Sequence, residues 1–252
     1  KRARKLAEVQ TSKVVRRAAF IELNLTGKID YDETKSANIV AHFSGRVEKL
    51  FANYTGMYVE KGTHLAEIFG PDLYINQREI LIAHSSLLNA EQEKVIEVKN
   101  KLLKTYNSVM SKMRVLGFTK EQIQKVIDRG TVSDTLVLYT PISGTIINKN
   151  IVQGQYFEKG QDLFIISNLN DLWLNLDAYE LDLPFLKYGQ KVIFEVDAVP
   201  GKKFEGKIIF IEPILNKETR TSNVRVVIDN SERVLKPGMF VKATVSVQVG
   251  EK

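Results

Sequence analysis

Apolar and polar residues alternate through both ends of the 252-residue chain, and helical spacing interrupts them in the middle. The stretch Ala19-Phe-Ile-Glu-Leu-Asn-Leu-Thr-Gly27 changes side at nearly every step, as a half-buried strand does. Short strands broken by glycine continue to Gly70-Pro71. From Asp72 to Arg129 there is one glycine, Gly117, no proline, and abundant Glu, Lys, Leu, Gln and Ala, which is helical composition. Over about Ala90 to Leu116 the apolar residues Val95, Val98, Leu102, Tyr106, Val109, Met113 and Leu116 are spaced 3, 4, 4, 3, 4, 3. That is a narrow, coiled-coil-like stripe on a helix about 40 Å long at 1.5 Å per residue. A preceding helix, roughly Leu73 to Leu88, presents Leu73, Ile80, Leu81, His84, Leu87 and Leu88, and the two are predicted to pack antiparallel about a tight turn near Asn89. Thr119-Lys-Glu-Gln122 is a capping box opening a short third helix that ends at Gly130. Strand signals return at Leu136 and persist to the end, except for Glu180 to Lys187, which reads as a short helix.

The strands on the two sides of the helices repeat one another. Ala41-His-Phe-Ser-Gly45-Arg-Val47 followed by Gly56-Met-Tyr-Val-Glu-Lys-Gly62-Thr-His-Leu65 matches Thr140-Pro-Ile-Ser-Gly144-Thr-Ile146 followed by Gly154-Gln-Tyr-Phe-Glu-Lys-Gly160-Gln-Asp-Leu163. The offset is 99 residues before the inner gap and 98 after it. Neither half has enough strands to close a core alone. Two similar halves packed face to face bury both apolar faces, and the glycines suit turns that need positive φ. The helices thus read as an insertion into a β framework.

Composition narrows the chemistry. Apolar residues make up 44% and charged residues 26%, enough for real cores. There is no cysteine, which excludes disulfides, thiolate zinc sites, iron–sulfur clusters and a cysteine nucleophile. His42, His64 and His84 form no H-x-x-x-H pair, and no apolar run approaches eighteen residues. No Walker loop, dinucleotide fingerprint, supported Ser-His-Asp order or metal-hydrolase helix is present, so no catalytic residue, cofactor or metal ligand is assigned and the chain is not read as an enzyme. Lys1 rather than Met opens the chain, the start expected of a processed or trimmed piece whose signal or anchor is gone.

The net charge of +6 is local. Up to Arg17 there are seven basic residues and one acid, Glu8; the other 235 residues carry 29 of each sign. This basic segment, 1–18, reads as a solvated start to the chain with a membrane-surface contact as the functional alternative. Nothing downstream reads nucleic-acid bases, and no nucleic acid is expected as a partner.

The paired halves resemble the split lipoyl-like domain of periplasmic adaptor proteins, also called membrane fusion proteins, in which a helical hairpin separates the halves. Leu172-Trp-Leu174, Asp177-Ala-Tyr-Glu180, Gly189-Gln-Lys-Val192, Phe204-Glu-Gly206, Ile211-Glu-Pro213, Thr219-Arg-Thr221, Val224-Arg225 and Leu235-Lys-Pro-Gly-Met-Phe240 are similar to the adaptors' β-barrel. Pro71-Asp-Leu-Tyr74, Gln77-Arg-Glu79 and Leu116-Gly-Phe-Thr-Lys-Glu-Gln-Ile123 resemble the heavy-metal branch. The implied fold is mainly β with an inserted α-helical bundle, elongated and multidomain: a basic segment at 1–18, a β-barrel from 19–36 and 169–250, a split lipoyl-like domain from 37–71 and 136–168, and helices at 72–135. Partial membrane-proximal strands are expected from 9–28. The implied function is a periplasmic adaptor, held at the inner membrane in the full-length protein, that links a resistance-nodulation-division pump to an outer-membrane channel and assembles as a ring. The cargo implied is heavy-metal cations, with drugs as the alternative. A lipoyl or biotinyl carrier and an adaptor for an ATP-driven exporter are the competing readings. Metal-branch members can carry methionines near the N-terminus for soft ions; here the first is Met57.

The individual residues divide as follows. Leu87, Leu88, Asn89, Ala90 and Glu91, at the expected hairpin turn, are the candidate partner contact. Met110 and Met113 are one turn apart but read as core, since two thioethers make a poor site. His84 reads as a half-buried packing residue and Trp173 as core. Lys61 and Lys159 read as surface turn lysines, because the carrier junction is occupied by helices. Arg220 and Thr221 read as a structural loop or a partner contact. Glu180 either caps the short helix or meets a partner.

Overall fold

The computed structural model describes residues 19–91 and 96–249. Fourteen strands are found among them: β1 Ala19–Tyr31, β2 Ser36–Val40, β3 Gly45–Leu50, β4 Tyr58–Val59, β5 His64–Phe69, β6 Thr135–Tyr139, β7 Gly144–Lys149, β8 Tyr156–Phe157, β9 Asp162–Ser167, β10 Asp171–Tyr179, β11 Lys191–Val196, β12 Lys203–Ile211, β13 Thr221–Asp229 and β14 Phe240–Val249. Three α-helices stand between β5 and β6: α1 Pro71–Glu91, α2 Ile96–Val115 and α3 Lys120–Arg129. The chain divides into two compact units, one holding the strands up to Tyr31 and those from Asn170 on, the other spanning Asp32–Leu169.

The first unit is a closed barrel in the order β1-β10-β13-β12-β11-β14. Closure leaves no sheet edge to protect. Alternation sends Leu25, Ile29, Leu172, Leu174, Leu176, Val192, Phe194, Ile208, Val224, Val226, Val241 and Val245 inward, all buried, while Lys, Glu, Asp and Thr face out. Gly206 makes room inside: a Cβ there would lie 2.5 Å from Val226 and 2.8 Å from Ile228. The part of β1 before Thr26 pairs only with the far end of β14, Ala19 opposite Val249 through Leu25 opposite Ala243, as a two-stranded ribbon. Residues 19–28, where membrane-proximal strands were expected to begin, are therefore one continuous strand of the barrel sheet; residues 9–18 lie outside the described residues.

The second unit joins the two repeats, but not one to each sheet. One four-stranded sheet runs β2-β9-β7-β4 and the other β6-β5-β3-β8. Exchanging each strand for its repeat partner turns one order into the other, so the halves are related by a pseudo-twofold and have traded strands. Face-to-face packing of separate halves is thus replaced by interdigitation. The physical gain is that two-residue strands too short to pair within their own half, β4 and β8, are held by the other half's longer β7 and β3. The turn bonds follow the same twofold: Gly56 N–H donates to Ile146 O at 2.8 Å and Gly154 N–H to Val47 O at 2.7 Å. Gly62 and Gly160 N–H likewise donate to Thr140 and Ala41 O, both at 2.8 Å.

The helices pack on this unit through Leu73, Ile80, Val109, Met113, Phe118, Ile123 and Val126, which join the sandwich core. Thr119 caps α3 in the expected box with Gln122, and Gly130 ends it in the left-handed conformation, φ 68°. Gln122 Nε2 also donates to Val137 O at 2.7 Å, tying α3 to β6. Helix α1 does not stop at Leu88. It continues to Glu91, because Asn89-Ala90-Glu91 contains neither glycine nor proline to end it.

Candidate interaction surfaces

Extension of α1 changes the candidate contact. Leu87, Leu88, Asn89 and Ala90 are the last turns of a helix and not an exposed loop: Ala90 is buried, Leu87 half-buried, and Leu88 and Asn89 exposed. Glu91 closes the helix. Among the described side chains of that turn, Leu88 and Asn89 are the outward pair.

Methionine and histidine positions are structural. Met113 is fully buried, and Met110 packs against the same core. The ring of His84 lies 5.9 Å from that of Tyr106 across the α1–α2 seam. His64 sits between Phe51 and Tyr139, at 5.7 and 4.9 Å between ring centroids. His42 covers Gly117, where a Cβ would lie 2.9 Å from its Cδ2. Among the described residues no three His, Cys, Asp or Glu side chains come together as a metal site.

Lys61 and Lys159 occupy twin turns, each backbone N–H donating to a serine of the other half, Ser143 Oγ at 2.9 Å and Ser44 Oγ at 3.1 Å. Their side chains are exposed. Two groups titrate away from their ordinary values, half-buried Arg46 and exposed Glu121. Hydrogen bonding and charge from Glu48 hold the Arg46 proton more tightly. The free backbone N–H of Glu121 itself, in the first turn of α3, together with Thr119 Oγ, draws the Glu121 carboxyl below its usual range.

On the barrel, Glu180 follows β10, exposed, and caps nothing. The expected helix is a single 3-10 turn, Leu183–Phe185, whose N-cap is Asp182, without a side-chain bond. Arg220 is exposed and held at φ 55°, its backbone N–H donating to Asn216 O at 2.8 Å. Thr221 is buried, its Oγ1 2.7 Å from that of Thr219. The loop is organised instead by Asn216, whose Oδ1 accepts from Glu218 N at 2.9 Å and Thr219 N at 3.4 Å. An Asn followed by polar residues between two strands was the available signal, since Asn side chains mimic a turn's backbone. Trp173 is buried, but on the outer wall: Leu172 and Leu174 take the lumen, Arg225 lies over the indole from outside, and the Phe210 ring is near the same guanidinium. At the same end of the barrel as the β1–β14 ribbon, Tyr179, Leu181, Tyr188 and Ile214 are all largely exposed.

These two units, barrel and split sandwich with a helical insertion, correspond to two family models: "CusB, barrel-sandwich hybrid domain" over residues 36–167 and "CusB-like, beta-barrel domain" over 171–249. The chain belongs to the CusB-like membrane fusion proteins. These are non-enzymatic periplasmic adaptors. The membrane fusion protein SilB of Salmonella typhimurium is 26% identical over 243 residues, covering 96% of this chain and 54% of SilB. The cobalt-zinc-cadmium resistance protein CzcB of Cupriavidus metallidurans is 26% identical over 230 residues, covering 87% of this chain and 44% of CzcB. The chain therefore spans about half the length of these curated relatives. Among solved structures, ZneB from Cupriavidus metallidurans has the same fold, with a TM-score of 0.62 at 22% identity, covering 91% of this chain and all of that one. Among the described residues no helix is long and apolar enough to cross a membrane.

Proposed function

We propose that this chain is the adaptor of a tripartite export system for heavy-metal cations, working in the periplasm between an inner-membrane pump and an outer-membrane channel. The observation that carries the reading is the barrel-sandwich unit split by a three-helix insertion, matched over 36–167 by the family model, together with relatives named for cobalt-zinc-cadmium resistance and cation efflux. An adaptor needs surfaces rather than a reaction centre. The hairpin end at Leu88 and Asn89 is the surface offered to the channel, and the barrel end bearing Tyr179, Leu181 and Ile214 is the one offered to the pump, with Glu180 and Arg220 beside it. The basic segment 1–18 adds attraction to an anionic membrane surface. Copies of the chain associate side by side into a ring.

Drug export is the second reading, favoured by 25% identity over 270 residues to the macrolide export protein MacA of Yersinia pestis. Deleting the gene and challenging the host with copper, silver, zinc, cobalt and cadmium, alongside dyes, bile salts and antibiotics, separates the two. Hypersensitivity to one or two metals is the expected result. Sensitivity to many organic compounds moves the cargo to drugs, and no change with either class sinks the export function.

A further inference from the structure

Strand β6 is the outer strand of its sheet, in the order β6-β5-β3-β8, so one of its edges has no strand beside it. Successive residues of an antiparallel strand turn their peptide groups to opposite edges. Thr140 faces inward, its N–H donating to Thr63 O at 3.1 Å and its O accepting from Gly62 N–H at 2.8 Å. Tyr139 therefore faces outward, and so does Val137, whose O accepts from Gln122 Nε2 of α3 at 2.7 Å. Thr135, the third outward residue, donates its N–H to Ser133 Oγ at 3.3 Å. Among the described residues nothing meets Val137 N–H or the N–H and O of Tyr139. An open edge of this kind is a template for another extended chain.

Helix α3 does not close this edge but forms the far wall of a trough beside it. Two hollows of about 480 and 340 Å³ adjoin there and share Gln122, Lys125 and Tyr139. The first reaches Lys61 and Pro141, the second Arg129 and Leu136. At about 3.3 Å per residue, the edge of β6 has room for about four extended residues. Lys61 on its turn and Lys125 on α3 are both exposed, and neither pairs with a carboxylate among the described residues. Arg129 is a third exposed base. Two acids also line the trough. Glu121 is engaged by its own N–H and by Thr119 rather than by Lys125, and Glu67 is half-buried. The bases are thus left to attract an incoming negative charge.

We propose that this trough binds an extended acidic segment of a partner protein, which adds to β6 as a further strand and sets its carboxylates against Lys61, Lys125 and Arg129. Main-chain bonds to Val137 N–H and to Tyr139 hold the segment, and the bases select its charge. Gln122 keeps Val137 O occupied, so pairing is centred on the Tyr139 end of the strand. This partner is additional to the pump and the channel, and its binding is read on the purified chain whatever the cargo.

Fluorescence anisotropy of the full chain with two labelled peptides tests this, one alternating Glu and Val over five residues and the other alternating Lys and Val. The acidic peptide should bind, more weakly as salt rises, and the basic one should not. Lys61→Glu and Lys125→Glu, both at exposed positions, should each weaken binding about fivefold. Lys159→Glu, at the twin of Lys61 in the other half, lines a different hollow and should leave binding unchanged. The acidic peptide methylated at every internal amide nitrogen cannot form strand bonds and should no longer bind. If it binds as well as its parent, or if Lys159→Glu weakens binding as much as Lys61→Glu, the attraction is general charge and the inference fails. A chain that takes sodium dodecanoate at this trough but not the acidic peptide would hold a small amphipathic anion instead. Absence of binding by the acidic peptide likewise overturns the proposal.

Discussion

The guanidinium carbon of Arg225 lies 4.0 Å from the centroid of the Trp173 ring, on the outside of the barrel. The two residues are diagonal neighbours on β13 and β10, since Trp173 faces Val227 and Asn175 faces Arg225. The ring of Phe210 on β12 has its centroid 5.7 Å from the same guanidinium carbon. Arg225 Nε is shielded from solvent and has no hydrogen-bond acceptor among the described residues. Its charge is met instead by two aromatic faces, an arrangement worth about 0.5–2 kcal/mol.

Because Trp173 is the single tryptophan of the chain, intrinsic fluorescence reports this stack directly. Arg225→Ala should uncover the indole, shift its emission to the red and destabilise the barrel by about 1–2 kcal/mol. Arg225→Lys keeps the charge but loses the planar stack and should fall between. An unshifted emission in Arg225→Ala would remove the role given to the stack.

Gly117 ends α2 at φ 90° with His42 against its missing side chain. Gly117→Ala adds both backbone strain and a clash and should cost about 1–3 kcal/mol in denaturant unfolding. Removing the opposing imidazole with His42→Ala in the same chain relieves only the clash. The double variant should recover part of the loss and keep the backbone share.

The twin turns offer a test of the pseudo-twofold. Gly56 and Gly154 have φ 84° and 82°, and a Cβ at either would meet nothing within 4 Å. Alanine at each should therefore cost the same, about 1–2 kcal/mol, from the left-handed backbone alone. Unequal losses measured by thermal unfolding would show that the two halves are not mechanically equivalent.

Thr119→Ala removes the cap of α3 and should cost about 1 kcal/mol. Glu121, in that first turn, adds a pH dependence. Its folded carboxyl titrates lower than its ordinary value of 4.5, so its contribution is present at neutral pH and lost as pH falls from that value through the folded one. Glu121→Gln should flatten that part of the stability profile, read by circular dichroism between neutral and acid pH.

At the hairpin end, Leu88→Asp and Asn89→Lys change exposed positions of α1 and should leave the melting temperature unchanged, since surface substitutions of this kind rarely move stability by more than about 0.5 kcal/mol. Export measured as metal tolerance should be lost. Full tolerance with both substitutions would place the channel contact elsewhere.

Much of this protein is written locally. The strand–helix–strand order, the repeat offset by 99 and 98 residues, the Thr119 box and the turn glycines all depend on residues a few positions apart, where periodicity and backbone preference act directly. The surfaces were harder to see, because an exposed apolar residue such as Ile75 carries no sign of which side of its helix faces solvent until α2 is in place. Asn89 read as a turn because Asn often is one, yet with no glycine or proline beside it the helix simply ran on. Tertiary structure alone decided that the halves trade strands, since each two-residue strand finds its partners only in the other half. It also decided that Trp173 faces outward: alternation assigns two sides to β10, and only closure of the barrel determines which side becomes the lumen.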